Sequence, residues 1–277
     1  MTVVVEAHKL DNRPYDETFE LGRSFIDDDL PNRMKDPGPA RQGSHAQVCI
    51  SDGSWAYHVG KTVLAHRFFG AGFDCAAAMF AAAVVPADED IEFMFDGRLL
   101  TGPGGTPNYA ANEGLWVNSF LLGVALGRGE QLAAHLAYPT NRLRETAGEG
   151  DEFRYAMVDA LKAFWTGNDT WKQLSVQALA ESEADRLTVM PPRMAAPLRA
   201  VLEALTPIAE GDQVGFTAAL VATLKAHKAY HGRGRPSRSC LSVVSIPACG
   251  VAALGLQRGL RVEVESGYMP TWLVTGP

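Results

Sequence analysis

The sequence predicts an all-α fold: a helical-hairpin array or α-solenoid-like bundle carrying one small β-hairpin. Three observations point there. From Gln42 almost to the C-terminus, segments with apolar residues three and four apart follow one another. Glycine and proline signals punctuate them at short intervals. Clear period-two alternation occurs in "IEFMFDGRLLTG", around the turn signal "DGR", and again in "RVEVE". No fixed-period repeat is visible, so a strict repeat family is not indicated. The 277 residues are 47% hydrophobic, enough for a sizeable core. We read residues 1–277 as a single all-helical domain, with 1–41 as a partly irregular N-terminal arm.

That arm holds "DNRPYDE", "DDDLPNR" and "KDPGPARQG", with a short helix expected over about Asp16 to Ile26. A longer helix should run from Gln42 to about Phe69, where "GAG" breaks it. The next is expected from Gly72 to Pro86, with Asp74 in its first turn, where a carboxylate suits the helix dipole. The hairpin at Ile91 to Leu100 follows. "GPGGTP" lacks the Gly-Lys-Ser/Thr ending of a phosphate loop and reads as a connection. "NYAANEGLWVNSFLLGVALG" is among the most apolar helices and should be central. "GRGEQLAAHLAYP" turns into a short helix that stops before Pro139. In "DEFRYAMVDALKAFWTG", Phe153, Met157, Leu161 and Phe164 form one stripe and Gly167 marks the end. "DTWKQLSVQALAES" is a further amphipathic helix. "PPRMAAPLRAVLEALTP" starts on prolines suited to a first turn, and Pro197 should kink or restart it. "GDQVGFTAALVATLKAHKAYH" is entered through Asp212. The last long helix, in "LSVVSIPACGVAALGLQRG", is expected to be interrupted near Pro247.

The formal charge of −7 and pI near 5.5 argue against general nucleic-acid binding, because such a surface repels phosphates. No apolar run reaches the ~20 residues that span a bilayer, and "MTVVVEAHKLDN" is too short an apolar start for a signal peptide. The cysteines at 49, 75, 240 and 249 form no Cys-x-x-Cys pair. Cys75 and Cys249 read as small buried apolar residues. A reduced, cytoplasmic protein without a cofactor or membrane association is expected.

His227 and His231 fall on one helix face, and two imidazoles so placed could share a metal. Lys228 stands where a zincin would carry glutamate, and no third ligand can be named, so no metal site is assigned. The apolar stripe Phe216, Leu220 and Leu224 runs up to His227, which makes these histidines the end of a packed helix. Lys228 and His231 suit its negative C-terminus, and Gly232 suits its cap. In "VEVESGYMP", Glu263 and Glu265 share a face if the run is extended. Tyr268 and Trp272 should dock the tail on the core.

The segments "ANEGLWVNSFLLGVALGRGEQL", "DQVGFTAALVATLKAHKAYH" and "RVEVESGYMPTWLV" resemble the immunity protein 49 family of bacterial polymorphic-toxin systems. "VEVESGYMP" and "GFTAALVATLKAHKAY" are the most specific stretches, and the resemblance covers roughly Tyr109 to the C-terminus. It implies an all-α protein that neutralises a cognate protein toxin by binding it, without catalysis, as found in actinomycetes. Candidate partner-binding residues are Asp88, Glu89 and Asp90, then Glu149, Asp151 and Glu152, and the basic pair Arg233 and Arg235. Carboxylates of this kind speed association with a basic partner. The alternative is a small-molecule biosynthetic enzyme on the same fold, with a pocket built from His227, Lys228, Tyr230, Glu263, Glu265 and Tyr268.

Overall fold

Alternating small and large residues set how the helices of this chain pack. The computed structural model describes residues 2–8, 25–34, 39–105, 110–147, 150–232 and 240–276. Most of the helix expected over residues 16–26 lies outside these. The chain forms two compact units, one of Lys9–Phe120 and Glu130–Ala147, the other of Met1–His8, Leu121–Gly129 and Gly148–Pro277. The mostly helical architecture agrees with the all-α expectation.

In the first unit, a π-helical turn (Phe25–Asp29) leads into a short helix α1 (Leu30–Met34), and then come α2 (Pro39–His58) and α3 (Thr62–Ala82). The break expected at "GAG" is displaced. The chain turns at residues 59–61, where Gly60 takes the left-handed φ of 78°, and Gly70 to Gly72 lie inside α3. Gly72 serves packing. A Cβ on Gly72 would sit 2.9 Å from Ile50 Cγ1 and 3.2 Å from the Ala46 carbonyl oxygen of α2. The helices therefore meet almost backbone to backbone, and a sequence that looks like a breaker is a contact surface.

Asp74, expected in a first turn, lies in the middle of α3 and is only 3% exposed. Its carboxylate accepts the Asp96 N–H at 2.9 Å. Asp96 and Gly97 both have positive φ, the pattern of a tight two-residue hairpin turn between β2 (Asp90–Phe95) and β3 (Arg98–Pro103). The register pairs Phe95 with Arg98 and Asp90 with Pro103, so the ladder extends beyond the expected Ile91 to Leu100. Arg67 of α3 grips the turn through Asp96 at 2.7 Å and reaches Asp27 at 2.6 Å. Ile91, Phe93 and Phe95 face inward while Asp90, Glu92 and Met94 face out. The unit is completed by the start of α4 (Glu113–Ala125), a 3₁₀ turn (Gly129–Leu132) running into α5 (Ala133–Ala137), and α6 (Thr140–Ala147). Asn112 Oδ1 caps α4 by accepting the Leu115 N–H at 2.9 Å.

In the second unit, α7 (Glu152–Thr166) buries Phe153, Met157, Leu161 and Phe164 and stops at Gly167, whose φ is 71°. Next come α8 (Trp171–Glu181), α9 (Pro192–Glu210), α10 (Gln213–His231) and α11 (Ile246–Gln257). Pro197 neither breaks nor restarts α9. Its ring is buried on the core face with Ala200, Val201 and Ala204, where packing offsets the one backbone hydrogen bond that proline cannot donate. Asp212 caps α10, accepting the Val214 and Gly215 N–H groups at 3.0 Å each. Pro247 falls in the first turn of α11, so it begins this helix and does not interrupt it. Cys75 and Cys249, like Cys49, are buried free thiols.

The N-terminal arm departs most from expectation. Val3–Val5 form a strand, β1, paired in parallel with β4 (Val264–Ser266), and a last short helix, α12 (Thr271–Thr275), follows. Among the described residues, no helix is long and apolar enough to cross a membrane.

The α2–α3 contact gives the first prediction. Alanine favours a helix over glycine by about 1 kcal/mol, while overpacking a core contact costs about 1–3 kcal/mol. Because the obstacle includes backbone atoms of Ala46 and Ile50, the clash should win. Gly72→Ala should lower the melting temperature, measured by circular dichroism at 222 nm.

Candidate functional site

The last turn of α10 carries the residues singled out from the sequence. Phe216, Leu220 and Leu224 are fully buried, and His227 continues their stripe at 3% exposure. Its Nε2 lies 3.3 Å from the Ser242 carbonyl oxygen, a bond that fixes a neutral ring with its proton on Nε2. The His231 ring packs 4.5 Å away and the Tyr268 ring 4.8 Å away, edge on. Burial pushes the His227 pKa from an ordinary 6.5 down to about 3, and the neighbouring His231 and His8 add to that, against the Ser242 carbonyl. A histidine this basic-shy neither takes up a proton at neutral pH nor meets solvent.

Tyr268 is equally sealed, at 1% exposure. Its Oη accepts the His8 backbone N–H at 2.8 Å, leaving its own proton to donate to His8 Nδ1 at 2.6 Å. Burial raises the phenol pKa, and the His8 N–H partly offsets that. This phenol therefore joins residues 260 positions apart in sequence and holds the chain just after β1 beside β4. His8 is the partner that the sequence did not disclose, because nothing local links "EAHK" to "SGYMP".

The other members of the possible pocket do not converge on His227. Glu263 pairs with Arg261 at 3.2 Å. Glu265 is exposed on β4. Tyr230 stacks edge on against His231, 4.6 Å away, and Lys228 is half-buried. No hydrogen bond or ion pair links either glutamate to His227, Lys228, Tyr230 or Tyr268. Gly232 ends α10 with φ −75°, so the expected cap uses no left-handed conformation. Among the described residues, no group of three or more His, Cys, Asp or Glu side chains is placed to hold a metal ion.

The charged clusters divide sharply. Asp151 is buried and is not available to a partner. It accepts the N–H groups of Thr188, Val189 and Met190 and the Thr188 hydroxyl, anchoring residues 188–190 ahead of α9. Burial raises its pKa, but the three backbone donors and the hydroxyl outweigh burial and hold the carboxyl below its usual range. Glu152 is exposed at the start of α7. Asp27 is neutralised by Arg67, Asp29 by Arg33, Glu181 by Arg186 and Glu183 by Arg199. Asp88, Glu89 and Asp90, leading into β2, are exposed and, among the described residues, make no side-chain hydrogen bond or ion pair. Glu149, Arg233 and Arg235 lie outside the described residues.

One buried serine–histidine pair went unread in the sequence. Ser119 Oγ sits 2.8 Å from His135 Nε2, and it donates to the Leu115 carbonyl at 2.6 Å. Phe73 stacks on the imidazole, and neither polar residue is exposed. With its proton committed and no route to solvent, this serine is structural and not a nucleophile.

Against this geometry, residues 62–273 match the family model of immunity protein 49, and the chain belongs to that family. No curated protein and no solved structure matches it.

Two predictions follow from the site. His227 has a folded pKa below its unfolded one, so below about pH 6.5 the unfolded chain binds a proton that the folded chain rejects. Stability should be full above that pH and fall between about 6.5 and 3, by up to about 1.4 kcal/mol per pH unit. Urea unfolding from pH 7 to 4 should show this slope, and His227→Gln should flatten it. Removing the Asp151 carboxylate leaves buried donors unsatisfied, at about 1–3 kcal/mol for each. Asp151→Ala should therefore lower the melting temperature clearly, whereas Asp88→Ala should leave it unchanged within about 0.5 kcal/mol.

Proposed function

We propose that the protein binds and neutralises a cognate bacterial toxin of a polymorphic-toxin system, acting in the cytoplasm without a cofactor. The match of residues 62–273 to the immunity protein 49 family carries this reading. The site geometry is consistent with it. The histidines, tyrosine and serine that could have served catalysis are spent on internal contacts, and the glutamates of the possible pocket stand apart from them. The unneutralised carboxylates Asp88, Glu89 and Asp90 offer a basic toxin surface a point of attraction, with Glu152 a further exposed carboxylate in the second unit.

The test is co-expression with the toxin encoded beside it. The two chains should co-purify, and cells expressing the toxin should survive when this protein is present. Association should weaken as salt rises from about 0.05 to 0.5 M, because screening shortens the reach of exposed carboxylates. Absence of a complex together with absence of protection would refute the reading.

A further inference from the structure

We propose that a groove beside the β1–β4 pair is a contact site for the toxin, and that it takes an extended segment in which a lysine or arginine is flanked by aliphatic side chains. The inference rests on the function proposed above.

The groove measures about 560 Å³ and lies wholly within the second unit. That volume is within the range of about 300–1,000 Å³ typical of ligand sites. Its floor is apolar and buried: Val5 of β1, Val264 of β4, Met269 and Val274. Its rim is polar and exposed: Glu6, Glu265, Thr271 and Thr275. An apolar centre inside a polar rim is the anatomy of a protein-contact site.

Two features select the occupant. Among the described residues, the only charged side chains lining the groove are the carboxylates of Glu6 and Glu265, and neither forms a hydrogen bond or ion pair there. Opposite Glu265 in the ladder stands Val4, 64% exposed, an apolar side chain left in water beside a carboxylate. A long cationic side chain satisfies both at once, because its methylenes cover valine while its head reaches a carboxylate. The site is lined by strands of a two-stranded ladder, a surface that recognises extended chain. Gly267, in the groove lining, lets the chain after β1 approach closely: a Cβ there would meet Ala7 Cβ at 3.1 Å. These features together favour a basic, aliphatic peptide segment over a compact anionic ligand.

The experiment measures toxin binding by the full chain at low salt, by biolayer interferometry. Four proteins are compared: wild type, a Glu6→Lys/Glu265→Lys variant, a Val4→Asp variant and an Asp88→Lys/Glu89→Lys control. The altered side chains are exposed and unpaired, so melting temperatures should hold, and circular dichroism checks this. The groove variants should bind at least about tenfold more weakly, chiefly through faster dissociation, with the charge-reversal deficit shrinking as salt rises. If wild type binds and both groove variants bind equally well, the groove inference fails and the proposed function stands. If wild type neither binds nor protects, the proposed function itself fails and the toxin is not the occupant. A wild-type dimer that Val4→Asp converts to monomer, seen by analytical ultracentrifugation without loss of toxin affinity, would assign the groove to a second copy and overturn the proposal.

Discussion

Close approach of helix backbones is the constraint on which the rest of this structure depends. It recurs in both units at glycine. Gly43 and Gly72 let α2 and α3 seat against large neighbours, and in the second unit Gly250 faces Leu121 while Gly255 faces the ring of Phe216. A Cβ on Gly255 would lie 2.4 Å from two carbons of that ring, which is itself fully buried. Glycine in a helix interior costs about 1 kcal/mol relative to alanine. The chain accepts that cost because the alternative is to push whole helices apart and lose dispersion contacts along their length. One turn on in α3, Ala76 keeps the same face small, and Ala78 and Ala82 are buried as well.

Once helices pack this closely, little room is left for polar groups, and several that are buried have a defined task. Asp74 holds the hairpin turn, Asp151 holds residues 188–190, and Ser119 and His135 satisfy one another between aromatic rings. The Tyr268 phenol does the longest-range work. It fastens His8 and places β1 on β4, where three residues of parallel ladder could not hold alone. The histidine cluster, read from the sequence as the end of a packed helix, is in space the packing around this fastening.

Most long helices and some of their ends, such as those at Gly167 and Asp212, were legible, because amphipathic spacing and capping chemistry are local; the short helices over Thr140–Ala147 and Thr271–Thr275 were not. Asp212 and Gly167 were identified by residue type alone, and each does what its type implies. Most of the misreadings share one cause: a residue's local preference was overruled by a contact distant in sequence. "GAG" is a breaker by propensity and a helix seam by packing. Pro197 is a restart signal by backbone chemistry and an apolar core side chain inside an unbroken helix. Asp74 carries a helix-start signal and serves a hairpin turn instead. β1 escaped notice because three valines carry no period, and their partner lies at the far end of the chain. For the possible pocket, the sequence correctly placed His227 at the end of an apolar stripe. It could not show that Glu263 would turn to Arg261, nor that Tyr268 would be spent on His8.

The same distinction orders the charges. Whether a carboxylate is free is a property of the fold, since Asp27, Asp29, Glu181 and Glu183 sit in acidic runs as conspicuous as Asp88 to Asp90. The first four meet arginines supplied by the same structure. A carboxylate already paired has little attraction left for a partner, because an incoming cation must displace the resident one and its solvation changes nearly cancel. An unpaired one on an exposed edge keeps its full field, screened only by solvent. Acidic residues in this chain are therefore not interchangeable as recognition elements. Some that remain unmatched among the described residues border the two strand pairs, Asp88 to Asp90 at the start of β2 and Glu6 with Glu265 along β1 and β4, while others such as Glu130, Asp169, Asp185 and Glu210 lie on helices and turns. In a chain built of helices, these short strand pairs are where backbone geometry leaves alternate side chains facing outward, apolar and acidic together. The proposed basic partner would draw on both, electrostatic attraction to arrive and apolar contact to stay.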